Sequence, residues 1–376
     1  MKIIKIVLSI IMVLLCFGMV ACVKNANCDE GHDFNEKCVC SRCNQVLHDI
    51  GSSCICQRCS ITEHNNKDGI CTKCNKLLSI NGSSFQLGLY PQSKVTDVSL
   101  IEILNQSAGE VPSYSQKGGW VSYDYYKYGE VEYFAWYIDI DYNDTKYRGV
   151  IFSDYRPDST VNSGSSSATY QDDNGYIEET VYWFKYEPIR WRVVKQSDGK
   201  ALAISELILD SQCFYTDRNT RKNGNETVYA NNWEHSSLRQ WLNNNFYNIV
   251  FSDNEKNAVI AQSLDNKLTG YDGNYNEYSN CQNNTTDNVF LLSYQDVTGN
   301  TLGFNSSNLR KWSTDYAKAQ GLYSSPNVDY CGLWWLRSPS ADTSSAVALV
   351  DATGMTGDQY VNKTSYGVVP AKIVNI

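Results

Sequence analysis

The chain has 376 residues, 42% of them hydrophobic and 19% charged, and a formal net charge of −9. This acidic balance lacks the basic footprint of a nucleic-acid binder, so nucleic acid is not expected among its partners. The length allows one large domain or two moderate ones beside a small module.

Residues 1–22 read MKIIKIVLSIIMVLLCFGMVAC. Lys2 and Lys5 give a positive start, residues 7–19 are almost wholly apolar, and small residues follow. That is the order of an export signal, and its core is short for a membrane span. Val20-Ala21-Cys22 resembles the bacterial lipobox, with Met19 where such boxes usually carry leucine. The resemblance implies that Cys22 is acylated and becomes the mature N-terminus. The expected protein is exported and held by lipid at the cell membrane or outer envelope. Beyond residue 22 no apolar run is long enough to span a bilayer.

Residues 23–80 follow as an expected stalk. Cys28 to Cys74 holds nine of the 14 cysteines and three of the four histidines, with His32, His48 and His64 sixteen residues apart. Cys40, Cys43, His48 and Cys54 form one set of three thiols and an imidazole, and Cys56, Cys59, His64 and Cys71 form another. Each set is a complete tetrahedral zinc shell, with spacing similar to a zinc knuckle, so about two zinc ions are expected. An incomplete set, Cys28, His32 and Cys38, precedes them, and Cys74 is left over. A second partition joins Cys40/Cys43 to Cys56/Cys59, or Cys56/Cys59 to Cys71/Cys74, as in a zinc ribbon, and the sequence does not choose. Phe34, Val39, Val46, Leu47, Ile50, Ile55, Ile61 and Ile70 are too few to offset chain entropy by burial. A staple is required, and zinc supplies about 10 kcal/mol in such sites. The competing reading is a disulfide ladder, because exported cysteines normally oxidise. Against it, a disulfide scaffold has no need to repeat histidine in phase with cysteine.

Near Gly82 cysteines become rare and aromatics rise, and residues 82–376 read as the body, with 82–176 as a possible subregion. Tyr90-Pro91-Gln92 predicts a strand running into a turn. Residues 98–106 predict a helix capped by Thr96 or Asp97. Residues 132–138 and 146–153 are strand-like, and 159–168 is a serine-rich loop. Residues 180–184 and 189–194 predict paired strands, with 200–205 a third behind a turn at 197–200. Residues 236–247 carry the clearest helix signal, with Leu238, Trp241, Leu242 and Phe246 on one face and Ser236 or Ser237 as cap. Ser252 to Glu255 resembles a capping box opening a short helix through Ile260. Residues 289–293 predict a buried strand and 314–321 a small helix ended by Gly321. Short strands close the chain at 333–337, 346–350, 359–361 and 367–369.

The ordered motifs Ile189-Arg-Trp-Arg-Val-Val194, Ile204-Ser-Glu-Leu-Ile-Leu-Asp210, Trp233-Glu-His-Ser-Ser-Leu-Arg-Gln-Trp-Leu-Asn243, Phe290-Leu-Leu-Ser293, Trp334-Trp-Leu-Arg-Ser-Pro339 and Gly367-Val-Val-Pro-Ala371 resemble a bacterial domain family of unknown function common in exported proteins of anaerobes. The resemblance covers residues 82–376. Val369 replaces the arginine with which that family usually ends. The likeness implies an α+β, C-type-lectin-like body of short strands and a few helices, near the variant used by formylglycine-generating enzymes. A fold likeness carries no function by itself.

Chemistry is sparse in the body. Cys213, Cys281 and Cys331 lie in no Cys-x-x-Cys pair, and His235 stands at a helix start without a Gly-x-Ser-x-Gly elbow elsewhere. The pairs Asp139/Asp141 and Asp172/Asp173 read as solvated turns rather than glycosidase acids or calcium ligands. Trp334, Trp335 and Arg337 are the candidate ligand wall, with core packing as the competing reading. No catalytic residue is assigned. The expected function is a non-catalytic binding domain for an extracellular glycan or protein, held on a zinc-stabilised spacer. The alternatives are an envelope structural protein and an exported cysteine oxidase or hydrolase.

Overall fold

A computed structural model describes residues 36–38, 47–48, 54–56, 61–112, 118–123, 127–128, 131–132, 135–159, 170–266, 278 and 282–376. The signal segment, Cys22, Cys28, His32, Cys40, Cys43, Cys59, Cys281 and most of the serine-rich loop lie outside them. The chain divides into two units, one of residues 1–66 with 71–74 and one of residues 67–70 with 75–376. Among the described residues no helix is long and apolar enough to cross a membrane.

The second unit is α+β. Its larger sheet uses β1 (Ser84–Lys94), β2 (Val121–Ser122), β3 (Ala135–Tyr142), β4 (Thr145–Phe152), β5 (Tyr182–Ser197) and β6 (Lys200–Ser205). Two later strands, β8 (Val259–Ile260) and β13 (Ala371–Asn375), complete it. The order is β8-β13-β6-β5-β4-β3-β2, with β1 also paired to β5 and every pair antiparallel. The smaller sheet contains β7 (Asp210–Ser211), β9 (Trp334–Pro339), β10 (Ala346–Val350), β11 (Thr356–Tyr360) and β12 (Gly367–Val368). Its order is β7-β12-β9-β10-β11, antiparallel except for β9 with β12.

The spine of the larger sheet is β5. The sequence predicts two strands at 180–184 and 189–194, whereas the structure has one strand through Pro188. Proline is tolerated because the ladder to β1 slips beside it, between Gln86 and Leu89 and again between Pro91 and Ser93. The same slips carry β1 straight through Tyr90-Pro91-Gln92, where a turn is expected. The Asp198-Gly199 turn that joins β5 to β6 has positive φ at both residues, as a tight hairpin of this hand requires.

Helix α1 (Val98–Ala108) is capped by Asp97, which accepts from the Leu100 amide. Its Leu104 packs with Tyr147 and Trp183, and the Trp183 indole donates to Asn105 at 2.8 Å. Phe184, the next residue of β5, enters the main core with Phe152 and Trp191. One strand therefore buries side chains on both faces.

The main core also holds Leu238, Leu242 and Phe246 of α2, a helix over residues 237–250. Ser236 caps α2 by accepting from the Arg239 amide. Two expectations are corrected beyond it. The capping box at Ser252 opens a helix of only Asp253–Lys256, and Val259–Ile260 joins the sheet because its amides and carbonyls find β13. Residues 289–293 are buried but form only an isolated bridge at Phe290 to Ala371. Two short helices, α3 (Tyr294–Thr298) and α4 (Asp315–Ala319), follow, and Thr314 caps α4.

Candidate metal clusters and binding cleft

In the first unit, Cys54, His64, Cys71 and Cys74 bring their ligand atoms within 4.8 Å of one another, as do Cys38, His48 and Cys56. Cys54 and Cys71 sulfurs are 3.2 Å apart, Cys38 and Cys56 sulfurs also 3.2 Å, and Cys74 Sγ lies 3.4 Å from His64 Nδ1. These separations exceed the roughly 2.05 Å of a disulfide. They approach the edges, about 3.3–3.8 Å, of a tetrahedron with zinc–nitrogen and zinc–sulfur arms. Three thiols and an imidazole on a closed tetrahedron fit a structural metal ion, and both groups can hold one.

The partition differs from the one expected. Cys54 joins the later histidine, not His48, and Cys38 joins His48 rather than His32. Cys74 is a member of a set rather than a leftover. The reason lies in the backbone. Cys38 and Cys54 both take left-handed conformations, with φ of 61° and 62°. Each carbonyl then accepts from the amide nine residues on, Leu47 at 3.0 Å and Glu63 at 2.9 Å. That loop returns the chain so that the following residue, His48 or His64, faces the cysteine that began it. A short ribbon, with Cys56 donating to Ile61 and Glu63 donating to Cys54, places Cys54 and Cys56 at adjacent turns of different sets. At Cys71, burial pushes the thiol up, but amide hydrogen bonds from Cys74 and Lys73 outweigh it and bring it down to about 5. Amides aimed at the first sulfur of a Cys-x-x-Cys turn favour the thiolate that a metal needs.

In the second unit, the two tryptophans of the expected ligand wall are core. Trp334 and Trp335 are fully buried, and their indoles donate to the Leu309 and Gln212 carbonyls. Arg337 is buried and holds Asp296 at 3.0 Å and the Leu291 carbonyl at 2.8 Å. Among the described body cysteines, Cys213 and Cys331 are both buried free thiols. Burial pushes the Cys213 thiol up. His235 stands 3.6 Å from Glu234 at the start of α2. Asp139 belongs to a structural ion pair, and Asp141 stands in the β3–β4 hairpin opposite Lys146.

A cleft of about 540 Å³ lies elsewhere, and the sequence does not announce it. Its floor comes from α2 and the chain before it: Gln240, Trp241, Asn244, Asn245 and Ile249, with Gln212, Cys213, Thr216 and Ser237. Its opposite wall comes from β1 to β4 and α4: Tyr90, Val121, Ser122, Tyr123, Tyr137, Arg148 and Tyr316. Residues Leu242–Phe246 wind as a π-helix. Such a bulge inserts a residue into the turn and re-aims side chains, and it recurs at functional sites. It carries Asn244 and Asn245 to the cleft.

Arg148 organises the wall. Its guanidinium holds Asp139 through two bonds of 2.8 Å, lies 4.2 Å over the Tyr137 ring, and reaches the Tyr316 hydroxyl at 3.5 Å. Tyr316 and Tyr123 hydroxyls are 2.9 Å apart. Despite its burial, Asp139 is held below the usual carboxylate range by Arg148 and Lys146. Beneath the cleft, the Tyr90 hydroxyl donates to fully buried Asp210, whose carboxyl burial pushes up to about 6. Gln212 is 4% exposed, and its Nε2 has no hydrogen-bond partner although it lines the cleft. A buried amide donor without a partner is costly unless a ligand or water accepts from it.

The signal that could have found this floor is the polar face of α2. Gln240, Asn244, Asn245 and Asn248 are all neutral amides, and the three asparagines favour helices less than the lysine and glutamate of an ordinary solvent-facing side.

Residues 198–376 match the family described as Domain of unknown function (DUF6273). The match is narrower than the span 82–376 of the resemblance: β1 to β5, and with them much of the cleft wall, precede it. No curated protein and no solved structure matches the chain.

Proposed function

We propose that the protein is a lipid-anchored envelope protein whose C-type-lectin-like body binds an extracellular glycan in the cleft, held off the membrane by a zinc-stabilised spacer. The observation that carries this reading is Gln212, a buried amide without a hydrogen-bond partner for its Nε2, in the lining of a cleft floored by further amides and by Trp241. A pyranose offers an apolar face that an indole can cover and a rim of hydroxyls that both donate and accept. Amide side chains match that rim, since each carries two donors and an acceptor. The volume falls within the roughly 300–1,000 Å³ of small-molecule sites. Among the described residues the one cation lining the cleft, Arg148, is already bound by Asp139, so the lining favours a neutral sugar over an acidic one.

Two antiparallel-rich sheets with a few short helices support the lectin-like reading, and the donor set of three thiols and an imidazole favours zinc. The anchor rests on Val20-Ala21-Cys22, with Cys22 as the acylated residue.

The test is calorimetric titration of the full chain with chitotriose, cellotriose, maltotriose and mannotriose, and with trigalacturonate as the charged comparison. One neutral trisaccharide should bind, and Trp241→Ala and Gln212→Leu should each weaken it at least about tenfold, a loss of roughly 1.4 kcal/mol. Substituting Cys331 or His235 should leave binding unchanged. Tighter binding of trigalacturonate would overturn the neutral class, and no binding at millimolar sugar would overturn the glycan reading. Labelling with an alkyne fatty acid should be abolished by Cys22→Ser.

A further inference from the structure

We infer that the body has a second and separate site, a cavity of about 310 Å³ at Arg337 that takes a small monocarboxylate with an apolar body. It shares no lining residue with the cleft, and the inference does not rest on the proposed glycan.

The cavity begins on the larger sheet. Lys195, Leu202 and Ile373 are register partners across β5, β6 and β13, and all three line it. Lys200 stands two residues before Leu202 on β6 and so shares its face. Leu202 and Ile373 are partly buried against the core, whereas both lysines are exposed. The deeper positions of this face are thus apolar and the outer ones carry ammonium groups. The rest of the apolar lining is Leu264, Phe290 and Leu292, all buried.

Arg337 of β9 gives the reason to assign an anion. Its side chain is 8% exposed, in a strand that is buried throughout. Both of its side-chain hydrogen bonds leave from Nη1, one to the Leu291 carbonyl and one to Asp296 Oδ2. The same Asp296 oxygen also accepts from the Ser293 amide at 2.7 Å, closing the capping box of α3. Arg337 Nε is buried and has no hydrogen-bond partner. The ion pair with Asp296 explains why an arginine can sit here, yet it leaves a buried donor unmet, which is costly. One edge of a guanidinium is a fork that grips a carboxylate through two parallel bonds. The edge that contains Nε is the one for which such a ligand is still wanted.

Charge and size narrow the class. Among the described residues the lining carries three cations, Lys195, Lys200 and Arg337, and two carboxylates, Asp265 and Asp296. The balance is one positive charge, which a monoanion neutralises. A neutral ligand brings no charge to that balance, and an ammonium is repelled. The volume lies at the lower end of the roughly 300–1,000 Å³ of small-molecule sites. The apolar part is therefore a short chain or a single ring rather than a long acyl tail or a peptide. It packs on Leu202, Phe290, Leu292 and Ile373, with the carboxylate at Arg337 and the lysines.

The test is calorimetric titration of the full chain with octanoate. Octanamide is the neutral comparison, octylammonium the cationic one and octyl phosphate the dianionic one. Octanoate should bind at millimolar concentration or below, and octanamide and octylammonium at least about tenfold more weakly, the factor for losing a charged hydrogen bond. Arg337→Lys keeps a charge for Asp296 but lacks the planar fork, and should weaken octanoate by the same factor. Lys195→Gln with Lys200→Gln alters exposed side chains only and should weaken it about threefold. This double variant decides the matter where thermal unfolding shows that Arg337→Lys does not fold. Trp241→Ala, in the cleft, should leave octanoate binding unchanged. Equal binding of octanamide, tighter binding of octyl phosphate, or no binding at millimolar octanoate would overturn the inference. So would octanoate binding that survives both charge variants, or that is lost with Trp241.

Discussion

Asp210 makes the stability of the body depend on pH in a direction opposite to that of most carboxylates. It is fully buried, and burial raises its carboxyl from 3.8 to about 6, against the opposing pull of the Tyr90 hydroxyl, the Ser211 amide and the charges of Arg156 and Arg148. The folded state therefore keeps a proton that the unfolded chain releases near pH 4. The contribution is fully present below the unfolded value and is lost as pH rises through about 6. A shift of about two units at 1.36 kcal/mol each amounts to roughly 3 kcal/mol. Asp210→Asn mimics the protonated carboxyl and still accepts from Tyr90. Urea unfolding, followed by tryptophan fluorescence, would be run on parent and variant at about pH 4 and about pH 7.5. The variant should gain about 2–3 kcal/mol on the parent between the two conditions. Other titrating groups cancel in the difference. Parallel stability profiles for the two proteins would refute the assignment of a raised carboxyl to this position.

Lys372 is fully buried with its ammonium 3.9 Å from the Trp191 ring centroid and 4.3 Å from that of Phe251, and its Nζ has no hydrogen-bond partner. Burial holds its pKa well below the usual lysine range, so Lys372→Met should stabilise the body at neutral pH by about 1–4 kcal/mol, read by urea unfolding. Gly88 sits at φ 76° in the bulge of β1, and a Cβ there would lie 2.4 Å from Val250 Cγ1. Gly88→Ala should cost about 2–4 kcal/mol in thermal unfolding, from the left-handed backbone and from overpacking against the end of α2. Arg148→Ala leaves Asp139 without its guanidinium, and a loss of about 3 kcal/mol is expected. The same variant should weaken binding in the cleft through the released Tyr137 and Tyr316.

What could be read before folding was mainly local. Asp97, Ser236 and Ser252 cap the helices they were expected to cap, because a capping bond is made within four residues. Non-local features escaped. Pro188 reads as a break until β1 supplies a ladder with its own slips. The run after Ser252 continues as helix on propensity, yet β13 draws Val259 and Ile260 into a sheet. Trp334 and Trp335 look like a ligand wall in isolation, but both faces of β9 are covered. The spacing left two partitions of the cysteines open, and neither joins Cys38 to His48 or Cys54 to His64 as the described clusters do. The phase of sixteen was visible, but the left-handed turn that makes it count was not. The cleft combines an amide face of one helix with a wall drawn from strands far upstream and from Tyr316 downstream, and no short window of sequence contains both.

The sixteen-residue reach of β5 also bears on where this protein can be cut. Residues 198–376 are the span shared with a domain family, yet β6, at the start of that span, hydrogen-bonds to β5 from Ser197 back to Trp191. Cloning from residue 198 would strip β6 of one neighbour and expose a ladder of bare amides and carbonyls beside Trp191's vacated place in the core. Such an edge recruits other chains. A boundary drawn by kinship thus passes through the middle of a folding unit, and a soluble product requires the strands that kinship omits.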